Sequence, residues 1–166
     1  MPRKGHAMKY AYRCIVAAFA IATIAACSAS PTEGMKFTAP AGWTGTPAVF
    51  GFQLWFNPAN KSEFLMLGKL PNKIDISKYA FDSSQIKGQI KNASIDKSED
   101  VMICGNQPAK MMSLHGTSSS SNQQEKMEML VTNVGANSYI AMYGFPGAAT
   151  ANVDAEKAIK NVCNVK

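Results

Sequence analysis

The stretch Lys126-Met127-Glu128-Met129-Leu130-Val131-Thr132-Asn133-Val134, then Gly135-Ala136-Asn137, then Ser138-Tyr139-Ile140-Ala141-Met142-Tyr143-Gly144-Phe145, decides the fold. Successive side chains on a strand point to opposite faces. Met127, Met129 and Val131 therefore share one face of the first run, and Tyr139, Ala141 and Tyr143 share one face of the second. Two alternating runs joined by a short glycine-containing loop predict an antiparallel hairpin. Pro146-Gly147 ends it. The rest of the chain must extend this hairpin or cover it.

Upstream, Gly105-Asn106-Gln107-Pro108 reads as a turn into a strand over Ala109–His115, and the serine-rich run 117–124 reads as an exposed loop. Val101–Cys104 predicts a short strand behind a polar, acidic connection over 94–100. Nearer the N-terminus, Met35-Lys36-Phe37-Thr38 alternates and stops before Pro40, as an edge strand would. Phe50–Phe56 and Ser62–Gly68 predict two further strands with the loop 57–61 between them.

Two segments change period. Ile76, Tyr79, Ala80, Ser83, Ile86 and Ile90 recur at helical spacing, and Asp75 is placed to cap the start, so a helix is predicted over 75–92. From Asn152 onward, Ala155, Ala158, Ile159, Val162 and Cys163 form a second helical stripe. The expected fold class is α+β: an antiparallel β-sheet sandwiched by helices in α/β/α layers.

The first 26 residues have a different character. Arg3, Lys4, Lys9 and Arg13 precede an apolar run, 14–26, of about 13 residues, the length of a secretory signal core. A membrane-spanning helix needs roughly 20 such residues. Ile24-Ala25-Ala26-Cys27 resembles the bacterial lipobox: a branched apolar residue, two small residues and a cysteine. The resemblance implies lipidation of Cys27, cleavage before it and anchoring in a membrane. Several acyl chains hold a protein there stably where one would be marginal. Cleavage a few residues later, among Ser28, Ala29 and Ser30, is the competing reading. In Gram-negative lipoproteins a serine after the lipidated cysteine, as Ser28 is here, implies sorting to the outer membrane, facing the periplasm. The expected organisation is a signal peptide over 1–26, a flexible tether over 27–34 and a single globular domain over 35–166.

Charge and cysteine use follow from that division. The leader takes 4 of the 17 basic residues and none of the 11 acidic ones, leaving 13 against 11 and a net charge of +2. No run of basic residues remains after it, so nothing in the sequence points to nucleic acid. With Cys14 in the leader and Cys27 as the lipid site, Cys104 and Cys163 remain as an even pair. In an exported domain such a pair predicts a disulfide. The C-x-x-C spacing of redox-active thiols is missing.

Phe37-x-x-Pro40-x-Gly42-Trp43, two aromatic strands, a helix, Gly105-x-x-Pro108-Ala109, a long hairpin and a closing helix together resemble the PsbP-like fold family. The resemblance spans nearly all of 35–166. It implies a helix-sandwiched antiparallel sheet and an accessory or binding role in larger assemblies, with no shared catalytic residues.

Few constellations suggest chemistry. Ser113 and His115 fall on the same side of one strand, but a Ser–His hydrolase also needs an orienting carboxylate and an oxyanion hole, and the sequence has no G-x-S-x-G elbow; a half-exposed strand histidine is the reading. Met102, Met111, Met112, Met127, Met129 and Met142 have the softness to bind Cu(I), yet lack a tight repeat and read as adaptable core. Asp96, Glu99 and Asp100 lack the spacing of an EF-hand and read as a solvated loop. Trp43, Phe50, Phe52, Trp55 and Phe56 are read as mostly core, with an apolar groove as the alternative. The expected function is a non-enzymatic, lipid-anchored cell-envelope binding module for another envelope protein, without cofactor or metal. The alternative is a carrier or sensor of a small apolar ligand, held in a cleft between sheet and helix.

Overall fold

The computed structural model describes residues 31–32, 34–86 and 88–164. The expected signal peptide over 1–26, the expected lipid site Cys27 and most of the expected tether over 27–34 fall outside the described residues. Among the described residues nine strands and one α-helix follow in order: β1 (Met35–Lys36), β2 (Thr44–Gly45), β3 (Phe52–Phe56), β4 (Phe64–Lys69), β5 (Ile90–Ile103), β6 (Gln107–Ser118), β7 (Gln124–Val134), β8 (Asn137–Pro146), α1 (Val153–Lys160) and β9 (Cys163–Asn164). Seven strands form one antiparallel sheet in the order β2-β3-β4-β8-β7-β6-β5, and β1 pairs with β9 in a separate two-stranded ribbon.

The predicted hairpin is the middle of the sheet. Val134 pairs with Asn137 across the turn, and the register runs unbroken to Glu125 opposite Pro146. Met129, Leu130, Val131, Thr132, Ala141 and Tyr143 are fully buried, because these two strands are covered on both faces.

One face is closed by α1 and the N-terminal segment. Ala155, Ala158 and Ile159 of α1 and Val162 beyond it pack on a cluster containing Leu65, Leu67, Leu130 and Tyr143. Asn152 caps the helix, its side-chain oxygen accepting from Asp154 N at 3.0 Å and Ala155 N at 3.2 Å. The Tyr143 hydroxyl accepts from Asn152 N at 2.8 Å, tying the start of the helix to the sheet beneath it. Phe37 packs tilted against Trp55 with ring centres 5.1 Å apart, and Trp43 tilted against Tyr143 at 6.2 Å.

The opposite face corrects the helix-sandwiched expectation. The segment between β4 and β5 was expected as a helix over 75–92, and it forms two 3-10 turns, Ile76–Lys78 and Ser83–Ile86. Asp75 does cap the first, accepting from Ser77 N at 3.1 Å. Asp82, Ser83, Ser84 and Gly88 are weak helix formers, and 3-10 turns are used in such short pieces. Ile76, Phe81, Ile86 and Ile90 still reach the sheet, so the apolar spacing reported burial without reporting a helix. The protein is therefore mostly antiparallel β-sheet with one α-helix among the described residues.

Two further expectations are corrected. The polar connection over 94–100 belongs to β5, a 14-residue strand with register shifts between Lys91 and Ser94 and between Ile95 and Lys97. It lies at the sheet edge, where bulges and charged residues are ordinary protection and hide the alternation. Cys163 lies in β9 rather than on the helical stripe, since α1 ends at Lys160 with Asn161 as its C-cap.

Candidate functional site

α1 covers only part of its face of the sheet. Between α1 and the edge strand β5 lies an open groove of about 370 Å³. Met111, Ser113 and Glu128 form its floor, Lys97 and Glu99 line it from β5, and Glu156 and Lys160 line it from α1. The Ser113 hydroxyl lies 2.9 and 3.0 Å from the two carboxylate oxygens of Glu128, directly opposite on β7. Desolvation by burial raises the Glu128 pKa, and the neighbouring carboxylates Glu156 and Glu99 push the same way. The hydroxyl of Ser113 and the cation Lys160 oppose that shift. The helix–sheet interface itself is filled by Ile159, Leu130 and Tyr143, so the open space lies beside the helix.

Ser113 and His115 do not meet chemically. His115 Nδ1 contacts Asp96 Oδ1 at 2.6 Å, whereas Ser113 is held by Glu128. A serine nucleophile needs its base within hydrogen-bond reach, and here each residue has a different carboxylate. The acidic trio also separates: Asp96 faces His115, Glu99 pairs with Lys97 at 2.8 Å, and Asp100 pairs with Lys110 at 3.3 Å. Among the described residues no group of three or more histidine, cysteine or acidic side chains is placed to hold a metal ion.

The methionines divide. Met102 is exposed and Met111 lies on the helix face. Met66, Met142, Met129 and Met112 sit directly opposite one another across β4, β8, β7 and β6, a row that no sequence spacing reveals. The row lies in a cluster with Ile76, Phe81 and Ile140. It packs as core, where methionine fills irregular space. The aromatic set is likewise split. Trp55 is core on the helix face, Phe52 and Phe64 lie over Gly68 and Gly144 on the other, and Phe50 is exposed.

Cys104 and Cys163 are joined as a disulfide, with Cα atoms 5.9 Å apart. Beside it lies a residue that sequence reasoning placed only in a turn. Buried Gln107 donates from Nε2 to Thr132 Oγ1 at 2.9 Å and to the Val162 carbonyl at 2.8 Å. Its Oε1 accepts from Asn164 N at 3.1 Å and Asn164 Nδ2 at 3.0 Å. The disulfide and this amide fasten the C-terminal β9 to the start of β6. No sequence signal marks Gln107, because its partners lie up to 57 residues away.

No family model matches the chain, and no curated protein matches it; the PsbP-like resemblance draws no support from these comparisons. A solved structure from Bacteroides thetaiotaomicron VPI-5482 superposes with a TM-score of 0.56 at 16% identity, covering 83% of this chain and 47% of that one. The chain thus spans about half the length of the Bacteroides structure, and the likeness is one of fold alone. A protein of unknown function from Pseudomonas aeruginosa, PA94, matches with a TM-score of 0.41 at 11% identity over 69% of this chain and 84% of that one, too distant to bear on the fold. No helix among the described residues is long and apolar enough to cross a membrane.

Proposed function

We propose that this chain is an exported, lipid-anchored binding module whose partner is another protein of the cell envelope. The groove between α1 and β5 carries the reading. Small-ligand sites are mostly apolar and enclose the greater part of their ligand. This groove is open, and it mixes Lys97, Lys160, Glu99, Glu128 and Glu156 with the apolar side chains of Val101 and Met111. Charges of both signs around an apolar floor suit the polar rim and apolar centre of a protein interface. The engagement of Ser113 and His115 by separate carboxylates supports a non-catalytic role. Cys27 supplies the anchor by its likeness to a lipobox.

The test places a photo-cross-linking residue at Lys160, exposed on α1 at the groove, in the full chain within its native envelope. The expected result is one dominant, near-stoichiometric adduct that disappears when Lys97 and Glu99 are exchanged for each other. No adduct, or one indifferent to the exchange, removes the groove as a docking surface. For the anchor, Cys27→Ala should leave an unprocessed or soluble form; unchanged partitioning into detergent would sink that part.

A further inference from the structure

One end of the sheet collects features that the sequence scatters. The ribbon β1–β9 lies there: Met35 pairs with Asn164, whose side chain accepts from Gly135 N in the β7–β8 turn at 2.8 Å. The chain that follows the Cys27 region therefore enters the fold at this end. Lys73 donates to the Gly135 carbonyl at 3.5 Å, and Lys69, the last residue of β4, donates its amide to Gly51 O at 2.8 Å. Lys36, Lys69 and Lys73 are all exposed. The carboxylate that begins the segment after Lys73, Asp75, is paired with Lys78 at 3.3 Å.

The same end carries the tight turn Val49–Phe52, closed by hydrogen bonds of 2.8 and 2.9 Å between its first and last residues. Phe50 and Gly51 sit at φ of +52° and +80°. Turns with two positive φ angles favour Asn-Gly, and a bulky residue there is a true outlier. Phe50 nevertheless holds the first position with 57% of its surface exposed, beside Val49 at 48%. Observed strain at an exposed site is grounds for a functional inference. The turn stands three strand spacings, about 15 Å, from the β7–β8 turn.

We propose that this end is a membrane-facing surface, with Val49 and Phe50 dipping into the bilayer interface and Lys36, Lys69 and Lys73 lying over anionic headgroups. The inference rests on the reading of Cys27 as the anchor, which confines the domain close to the bilayer so that weak contacts suffice to orient it. Aromatic residues suit the interface between lipid and water. Lys36 stands far from Lys69 and Lys73 in the chain, so no basic run announces the three together. With this end down, the groove by α1 stands to the side, open to a partner.

The test uses the full lipidated chain on protein-free vesicles of phosphatidylcholine, with and without phosphatidylglycerol, followed by hydrogen exchange. The expected result on phosphatidylglycerol vesicles is exchange about tenfold slower over 48–52 and 71–73, with no change in the loop 118–123 at the opposite end. Phe50→Asn should abolish that protection while the protein stays vesicle-bound and its melting temperature rises, since asparagine accepts positive φ. Lys36→Gln, Lys69→Gln and Lys73→Gln together should abolish the preference for phosphatidylglycerol. Vesicle binding with equal exchange at both ends overturns the membrane-facing surface and leaves the anchor intact. A chain that does not bind vesicles overturns both. Protection seen in native envelopes but not on protein-free vesicles assigns this end to a protein and overturns the proposal.

Discussion

The two faces of the central sheet achieve the same burial by different means. The helix face is built from shape-specific parts: α1 seated by the Asn152 cap and the Tyr143 hydroxyl, tilted or stacked aromatics, Gln107 with four hydrogen bonds, and the Cys104–Cys163 bridge. The opposite face is built from methionines beneath an irregular cover, with phenyl rings lying over Gly68 and Gly144 in place of side chains there. A regular helix demands regular grooves, and close packing makes such a face sensitive to single atoms. An irregular cover demands adaptable filler, and thioether side chains provide it. The helix face should therefore be the brittle one and the methionine face the tolerant one.

Breaking the bridge should produce the largest effect. Closing a loop with a sequence separation of 59 constrains the unfolded chain, by roughly 4 kcal/mol in the entropy model. Cys163→Ser, or reduction, should lower stability by up to about that amount in thermal unfolding. Alkylation of the oxidised protein should label neither Cys104 nor Cys163, and labelling of both without reductant would refute the bridge.

Ile159→Ala should come next, costing about 2–5 kcal/mol, because a fully buried side chain of α1 is lost beside groups that cannot relax. Met129→Ala, the same truncation at an equally buried position on the other face, should cost less, toward the lower end of that range of about 2–5 kcal/mol. Equal losses in denaturant titrations of these two variants would end the distinction between the faces.

The smallest effect compares two glutamates of β7, Glu128 toward the helix face and Glu125 toward the other. Burial raises both folded pKa values above the ordinary 4.5, and the protonated forms are favoured in the fold. Their contribution to stability is full below 4.5 and is lost as pH rises through the higher folded values. Glu128→Gln and Glu125→Gln should each flatten that decline in melting temperature against pH. At Glu128 the carboxylates Glu156 and Glu99 act with burial, and Ser113 and Lys160 act against it. An unchanged pH profile in both variants would show that neither carboxylate feels its burial.

Period-two alternation over 126–145 and the Gly135 turn were enough to place the central hairpin and to say which residues share a face, because side-chain direction in a strand is set locally. The helical stripe that opens at Asn152 was legible from a capping residue and an apolar period, but only as far as Lys160, since its last members Val162 and Cys163 lie beyond the helix; an even cysteine count pointed to the pairing of Cys104 with Cys163. The segment 75–92 was not, since an apolar repeat reports which residues are buried, and tertiary contact decided that turns suffice to bury them. β5 was hidden because an edge strand with bulges and charges carries no alternation to read. Gln107, the methionine row across four strands and the three lysines at one end depend on residues distant in sequence. Only the pairing of strands brings them together, and a local pattern cannot encode neighbours that the chain meets after folding.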